Sequence, residues 1–404
     1  MLIENIAEAK KSTLDKQRVM MVARFLRGYE GITSHIATLA KELQRQGWEV
    51  ALACGMDEAE LDNSRGIDWL ESQGIKHYQV PFPCFKLSPQ NIVDFPRALT
   101  KFKKAIAHFQ PSLLHAHSLS VCPYTSLIKR ANKIPVVSTC HMNPYVKRNS
   151  MEVKLSSAVN RYLNRGFLGD RIIAISQEVE ESYRTIMHVP QHHIQRIYHG
   201  IDVERFHPPT KEQRLKARSD IGITPEAKVV CLIGRLSPFK GHKVLIDAIA
   251  KLRTEGISVI ALCAGTGDYE RDICQYARQR GVEKSLRMLG FADSRQILWS
   301  SDAIVLPSQR EALPLVICEA MLCGVVPIRT PASGVYDQID DGVNGFIIDF
   351  DDSSALAKRL FQLLTDEKLN DTMSQSAIST AQKKFTVEQM GLKTISLYRE
   401  ARSL

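Results

Sequence analysis

Two cations stand in a glycine-bounded loop in the second half of the chain. Arg235 and Lys240 lie within residues 234–241, which follow a predicted strand and precede a predicted helix. A strand, a loop and a helix in this order place free backbone N–H groups and cations where a diphosphate binds. Arginine binds phosphate through two parallel hydrogen bonds, and lysine adds a compact charge. The loop is therefore a candidate phosphate site, while ordinary solvated surface cations remain the alternative interpretation.

Two glutamates eight residues apart form a second candidate element. Glu311 and Glu319 flank an apolar stretch that follows a predicted strand at 303–306. Pro314 fits the first turn of a helix, so Glu311 is expected in the loop and Glu319 inside the helix. A carboxylate among apolar neighbours needs hydrogen-bond donors, and the hydroxyl groups of a sugar or ribose would supply them. The alternative is an ordinary acidic residue that is stabilised by the helix dipole.

The elements that must position these residues alternate along the whole chain. Short apolar β-rich runs are separated by amphipathic helical patterns, which predicts an α/β fold of parallel sheets covered by helices on both faces. The chain of 404 residues is long enough for two domains, and we place the join and a hinge at residues 200–209. The predicted strands are 19–23, 49–53, 113–115, 135–139, 171–175, 229–233, 258–263, 286–289, 303–306, 325–328 and 346–348.

Composition and charge restrict the class of protein. The chain is 44% hydrophobic and 24% charged, and no apolar run approaches the length that spans a bilayer. Its first seventeen residues do not resemble a secretory signal, so a cytoplasmic protein is expected. The nine cysteines include no C-x-x-C pair and are interpreted as reduced thiols. Residues 84–171 carry 14 lysines and arginines against three acidic residues, a local net charge of +11 that should attract anions.

Taken together, these residues resemble the family-4 retaining glycosyltransferases of the GT-B fold, also called glycosyl transferases group 1, over nearly the whole chain. The Glu-x7-Glu element at Glu311 and Glu319 is the most specific motif of that family. Further landmarks of the family agree in order and spacing, namely Gly31, His115, His117, His141, Ser176, residues 199–202, Gly265, Gly267, Phe291, residues 306–308 and residues 341–345.

The resemblance implies a role for each matching residue. Arg235 and Lys240 would neutralise the departing diphosphate, Glu319 would bind the ribose, and Glu311 with the amides after it would hold the donor sugar. His141 would lie at the reacting face, and Gly31 would let the backbone approach the donor. The implied catalytic set is His141, Arg235, Lys240 and Glu311. The implied donor-binding set is Gly31, Arg235, Lys240, Gly265, Phe291, Glu311, Leu313, Leu315, Val316 and Glu319.

The resemblance also implies a domain organisation, with two Rossmann-like domains that face each other across a cleft. Residues 1–200 would bind the acceptor, and a helix at about 388–404 would return to them, while residues 201–387 would bind the nucleotide sugar. Two departures bear on the substrates. Glu30 precedes Gly31 where the family often has a glycine pair, and Pro314 stands where members often have glycine.

No metal ion or other cofactor is expected, because Arg235 and Lys240 supply the positive charge. Asp349 and Asp351 resemble a metal-binding D-x-D, but they precede a helix predicted from Ser353, and helix capping explains them better. Near His115 and His117 no third metal ligand stands at a telling spacing. We therefore interpret both histidines as structural.

The predicted activity is transfer of a hexose or N-acetylhexosamine from a nucleotide-diphosphate sugar, with a UDP-sugar favoured, to a hydroxyl group. A glycan, lipopolysaccharide or lipid-linked acceptor of envelope polysaccharide synthesis is expected. The basic stretch adds an expected peripheral contact with an anionic membrane, at the inner face of the cytoplasmic membrane. Three alternatives stay open. They are a nucleotide-sugar epimerase of the same fold, a transferase for a small soluble acceptor, and a nucleic-acid-binding protein, although the sequence has no recognised nucleic-acid motif.

Overall fold

A computed structural model describes residues 17–26, 31–55, 71–83, 89–142, 154–155, 157–158 and 167–404. The chain forms two compact units. Unit 1 comprises Met1–Gly200 with Val387–Leu404, and unit 2 comprises Ile201–Thr386. Each unit contains one parallel sheet with helices packed against it, which confirms the predicted α/β class.

The sheet of unit 1 has seven strands in the order β3-β2-β1-β4-β5-β6-β7. Its strands are β1 (Arg18–Phe25), β2 (Glu49–Gly55), β3 (Lys76–Gln79), β4 (Leu113–Ala116), β5 (Val136–Cys140), β6 (Arg171–Ala174) and β7 (Ile194–Arg196). Its first four helices are α1 (Gly31–Arg45), α2 (Pro89–Phe109), α3 (Cys122–Asn132) and α4 (Gln177–Thr185).

The sheet of unit 2 has six strands in the order β10-β9-β8-β11-β12-β13. Its strands are β8 (Lys228–Ile233), β9 (Val259–Ala264), β10 (Leu286–Gly290), β11 (Ala303–Leu306), β12 (Val326–Arg329) and β13 (Phe346–Ile347). Its helices are α5 (Lys211–Asp220), α6 (His242–Thr254), α7 (Glu270–Gln279), α8 (Ser294–Ser300), α9 (Leu315–Leu322), α10 (Val335–Gln338), α11 (Ser353–Thr365) and α12 (Glu367–Lys384).

The central strands are continuously apolar because helices cover both faces of each sheet. In β1, Val19 and Met21 pack in one core with α1, while Met20 and Val22 pack in another with α2 and α3. Successive side chains of a strand point to opposite faces, so both sets must be apolar when both faces are covered. This is why the apolar runs predicted the central strands to within two residues at either end.

The last helix, α13 (Val387–Arg402), belongs to unit 1. The hydroxyl of Tyr398 lies 2.6 Å from Nδ1 of His115, and its ring makes an edge contact with Trp48. Close packing on α1 requires Gly391, because a Cβ there would lie 2.4 Å from Cγ of Glu42. α13 is separate from α12, which ends at Lys384, three residues before α13 begins.

Two strands were missed by the sequence analysis, and both lie at sheet edges. β3 and β7 are the first and last strands of the sheet in unit 1. An edge strand pairs on one side only and need not be apolar on both faces. Their sequences, KHYQ and IQR, are correspondingly polar. Hydrophobic runs therefore could not reveal them.

Candidate functional site

The order of strands in unit 2 defines where a ligand site should lie. β9 and β10 lie on one side of β8, whereas β11 and the strands after it lie on the other. In an open parallel sheet, ligands bind outside the carboxyl ends of the strands at the point where the order reverses. Here that point lies between β8 and β11. The loop with Arg235 and Lys240 follows β8, and the loop with Glu311 follows β11.

Glycines pack the loop after β8 tightly against its neighbours. Gly265 has a φ of +137°, and a Cβ on it would lie 2.0 Å from the carbonyl oxygen of Gly234. Gly241 has a φ of +73°, and its Cβ would lie 2.1 Å from the carbonyl oxygen of Pro307. Leu236 donates its backbone N–H to Thr266 at 3.0 Å. These contacts fix the path of the loop, and α6 begins directly after it at His242.

Lys240 and Glu311 meet at this point of the sheet. The Nζ of Lys240 lies 2.7 Å from Oε1 of Glu311, and both side chains are largely buried. Arg235 is exposed. It forms no ion pair with any residue that the structure describes. The structure thus brings two of the predicted residues into direct contact and leaves the guanidinium of a third open to solvent.

Helix α10 supports the loop after β11. The side-chain amide of Gln338 donates to the carbonyl of Pro314 at 2.9 Å, and buried Arg329 in turn bonds to Gln338. A Cβ on Gly334 would lie 2.2 Å from the carbonyl oxygen of Ala312, so glycine is needed there. Pro314 is the N-cap residue of α9. The predicted position in the first turn of the helix is therefore wrong.

The remaining donor-side predictions lie along the same edge of the sheet. α9 begins at Leu315, so the N–H groups of Leu315 and Val316 have no acceptor within the helix by its geometry. Leu313 is buried just before the helix. Gly265 follows β9 and donates its N–H to Gly290 at 2.7 Å. Phe291 follows β10 and is 63% exposed, which suits a ring that contacts a ligand rather than the core.

His141 and Gly31 belong to unit 1, where the structure shows a group of histidines. Gly31 is the exposed first residue of α1, which also carries His35. His141 follows β5, and its ring stacks on those of His117 and His199, with centroids 5.4 Å and 5.6 Å away. The ring of His35 makes edge contacts with the other three. Glu30 lies outside the described residues.

Family models match both halves of the chain. The model "Glycosyltransferase Family 4" matches residues 29–205, and the model "Glycosyl transferases group 1" matches residues 213–380. The chain is a family-4 glycosyltransferase. The second match contains the whole loop and helix system at the carboxyl ends of β8 and β11.

Known proteins similar to this glycosyltransferase cover nearly its full length. It is 24% identical over 380 residues to an uncharacterized glycosyltransferase of Methanocaldococcus jannaschii, covering 92% of this chain and 94% of that protein. It is 26% identical over 399 residues to the D-inositol 3-phosphate glycosyltransferase of Corynebacterium glutamicum, covering 92% of each chain.

Solved structures confirm the GT-B fold. Anabaena HepE in complex with UDP matches with a TM-score of 0.81 at 20% identity, covering 95% of this chain and 100% of that one. The complex of HepE with UDP-glucose matches with a TM-score of 0.79 at 22% identity, covering 96% and 100%. At this identity the likeness establishes the fold.

Glu319 lies on α9 of the glycosyltransferase in a partly buried position. Burial raises the pKa of its carboxyl group from 4.5 to about 7. A hydrogen bond from Ser294 and the charge of Arg205 act in the opposite direction, while the charge of Asp293 raises the pKa further. The carboxylate therefore lacks full compensation in the protein alone, which is the property expected of a group that binds ligand hydroxyls.

We predict that Glu319→Gln raises stability at high pH while weakening donor binding. Because the native pKa lies above the ordinary value, the stabilising effect of this group is fully present below pH 4.5 and is lost as the pH rises to 7. The variant avoids that loss, so at pH 8 it should exceed the wild type by on the order of 2 kcal/mol. Melting temperatures from pH 4.5 to 8 measure the difference.

The matched control for Glu319→Gln is Glu270→Gln, which changes an exposed glutamate on α7. The control should follow the wild-type pH profile. A Glu319→Gln protein that is no more stable than the wild type at pH 8, or that keeps its donor Michaelis constant, contradicts this assignment.

Burial keeps the clustered histidines of unit 1, together with His115, neutral at physiological pH because it lowers the pKa of each ring. It lowers the pKa of His199 to about 4 and that of His115 to about 3. The pKa values of His35, His117 and His141 also lie well below 6.5, first because of burial and then because each would be charged beside other histidines. Neutral imidazole has a nitrogen lone pair that can bind a metal ion, so these rings keep that property.

Several functional residues were missed by the sequence analysis. Asp293, Ser294 and Arg205, which modify the effect of burial on the pKa of Glu319, belong to segments that carry no motif. Gln338 supports the loop after β11 from a four-residue helix. Only the strand order, which the sequence pattern does not specify, brings these segments to the site.

The predicted capping role of Asp349 and Asp351 is wrong, because the N-cap of α11 is the next aspartate and the side chain of Asp351 instead accepts hydrogen bonds from Gln309. Asp352 is the N-cap of α11 and accepts from the N–H groups of Ser354 and Ala355. The eight cysteines among the described residues are free thiols. No described helix is long and apolar enough to cross a membrane.

Proposed function

We propose that the enzyme transfers a hexose or N-acetylhexosamine from a UDP-sugar to a hydroxyl group with retention of configuration. The observation that supports this most is the meeting of Lys240 and Glu311 where the strand order of unit 2 reverses, 2.7 Å apart. The solved structures of HepE are complexes with UDP and with UDP-glucose, which supports a uridine donor by analogy.

In the proposed complex, residues of different loops bind different parts of the donor. Arg235 and Lys240 hold the diphosphate, and Glu311 holds the sugar with the amides of Leu315 and Val316. Glu319 accepts hydrogen bonds from the ribose. The contact with Glu311 positions Lys240 before the donor binds. The donor phosphate then interacts with Lys240 together with Glu311. Such preorganised charge stabilises a transition state without a reorganisation cost.

The proposed reaction follows a front-face path. The bond between the sugar C1 and the diphosphate oxygen breaks, and its electron pair leaves with the diphosphate. The acceptor oxygen forms a bond to C1 on the same face, and its proton passes to the departing phosphate oxygen. The two cations stabilise the growing negative charge. A double displacement would need a carboxylate nucleophile, and the sequence supplies no acid in the first domain at the position that the family would use.

We further propose that transfer needs no divalent metal, because Arg235 and Lys240 provide the positive charge. The test combines donor binding with turnover. A UDP-sugar at 100 times its dissociation constant should stabilise the native state by about 2.7 kcal/mol, whereas GDP- and ADP-sugars should not. Transfer should persist in chelator, and NMR of the product should show the anomeric configuration of the donor. Activity that chelator abolishes and magnesium or manganese restores contradicts the proposal.

We propose an anionic acceptor or surface for unit 1, on the basis of α2. Its apolar side chains, including Phe102 and Phe109, are buried in the core. Lys101, Lys103 and Lys104 are exposed on the same helix. The exposed side of the helix is therefore positively charged, and the apolar side chains named above are already packed in the core. A lipid-linked or charged glycan of envelope polysaccharide synthesis fits this surface, and so does a small phosphorylated acceptor such as the one named for the corynebacterial relative.

We predict that the protein binds anionic liposomes at low salt and releases them at high salt. Each lysine near such a surface contributes roughly 1 kcal/mol, so changing Lys101, Lys103 and Lys104 to Glu should abolish flotation. The control changes the exposed residues Lys358, Lys368 and Lys383 of unit 2 to Glu. This control has the same net charge and should still float. If the wild type floats equally with neutral and anionic liposomes, a soluble acceptor is the better interpretation.

A further inference from the structure

Four buried histidines of unit 1 come from four distant segments of the chain. His35 lies on α1, His117 follows β4, His141 follows β5, and His199 lies three residues beyond β7. Each is at most 8% exposed. β4 and β5 are neighbours in the sheet, and their carboxyl ends carry His117 and His141 side by side. The strand order therefore gathers imidazole rings that are up to 164 residues apart in sequence.

Some buried ring nitrogens in this group take no part in the hydrogen bonds between the rings. Nδ1 of His35 lies 2.8 Å from Nδ1 of His199, and Nδ1 of His117 lies 3.2 Å from Nε2 of His141. A neutral ring has one N–H and one lone pair, so each contact uses one of each. Nε2 of His35, Nε2 of His117 and Nδ1 of His141 are buried, and no described residue bonds to them.

A purely structural role does not account for these leftover nitrogens. A buried polar atom without a partner costs about 1–3 kcal/mol, and three of them occur within one cluster. His115, in contrast, is fully bonded, since its two nitrogens contact Tyr398 and Thr139 at 2.6 Å and 2.7 Å. His115 thus shows that a histidine with a structural role in this region has both ring nitrogens hydrogen-bonded. The leftover nitrogens of His35 and His141 in particular are available to an additional ligand.

We propose that His35, His141 and His199 form a binding site for a transition-metal ion, with Zn²⁺ as the expected occupant. One ring nitrogen from each lies within 4.8 Å of the other two. Zn²⁺ bound at about 2.0–2.1 Å needs donors roughly 3.4 Å apart, so ring rotations that move these nitrogens by about 1 Å close the site. The contact between His35 and His199 opens slightly as both rings turn toward the ion.

The donor set selects the kind of metal ion. Imidazole suits Zn²⁺, Cu²⁺, Ni²⁺ and iron, whereas Mg²⁺ and Ca²⁺ prefer oxygen ligands. Three histidines leave a fourth position open, which is the arrangement of catalytic rather than structural zinc sites. The three proposed ligands belong to unit 1, whereas Arg235 and Lys240 belong to unit 2, so the site uses neither of the residues that are proposed to hold the diphosphate. It is compatible with metal-independent stabilisation of the departing diphosphate.

The test uses untagged full-length protein that has been stripped of metal with a chelating resin. Titration with ZnCl₂ by calorimetry should give about one site per chain, and CoCl₂ should develop the intense visible absorption of four-coordinate Co²⁺ bound to nitrogen. His35→Gln and His199→Gln should each weaken Zn²⁺ binding by more than about 100-fold, beyond the 10–100-fold that loss of an outer-shell partner causes. MgCl₂ should show no binding.

The control is His192→Gln with His193→Gln, which removes an adjacent pair of histidines outside the buried cluster. This protein should bind Zn²⁺ as the wild type does. The wild-type cobalt spectrum needs no variant, so it decides the question even if a histidine variant fails to fold. Absence of a four-coordinate spectrum overturns the proposal. So does binding that survives both cluster variants, or that the control removes.

Discussion

Replacing Arg235 with alanine is expected to lower the turnover number by about 100-fold or more while the protein stays folded. Arg235 is exposed at the carboxyl end of β8, and it forms no ion pair with a described residue, so its loss removes no internal contact of that kind. In the proposed mechanism its charge acts on the departing diphosphate. Steady-state kinetics at saturating donor, with the melting temperature of the same preparation, separate catalysis from stability.

Lys240→Ala should lose turnover by a similar factor and also lose stability. Its partner Glu311 would be left as a largely buried carboxylate without its cation. Removing one member of such a pair costs more than the pair contributes. The double change Lys240→Ala with Glu311→Gln should recover stability without recovering turnover. Arg271→Ala, an exposed arginine on α7, is the charge control. Near-normal turnover in both single variants would exclude the proposed diphosphate site.

Gly265→Ala is expected to destabilise unit 2 by about 3 kcal/mol or more. Its φ of +137° disfavours any side chain, which costs on the order of 1–3 kcal/mol. The new Cβ would also lie 2.0 Å from the carbonyl oxygen of Gly234, a backbone atom that cannot move aside without shifting the loop of Arg235. Urea unfolding measures the loss of stability, and donor titration should show weakened binding in the protein that remains folded.

Gly256→Ala provides the matched control. Gly256 also has a positive φ, of +78°, but nothing lies within 4 Å of its Cβ position. This variant should lose only about 1 kcal/mol through backbone strain and should bind donor normally. Equal losses in the two glycine variants would mean that backbone strain alone, and not the close approach to Gly234, determines the need for glycine.

Local patterns in the sequence were enough to predict the fold class and most of the central strands. β1 and β8, for example, are continuous apolar runs because both of their faces are covered by helices. Such a pattern is local and can be read without knowing any partner. The motifs likewise identified the loops that carry Arg235, Lys240 and Glu311. The polar edge strands β3 and β7 lack the local pattern, and for that reason they escaped prediction.

Which of these residues are in contact depends on the way the strands assemble in space. Lys240 and Glu311 are 71 residues apart, and their contact depends on β8 and β11 being neighbours in the sheet. The histidines show the same dependence more strongly. The sequence offered His115 and His117 as an isolated pair, whereas the sheet order places His117 beside His35, His141 and His199. Periodicity records whether a strand is buried, and it carries no information on the order in which parallel strands lie side by side.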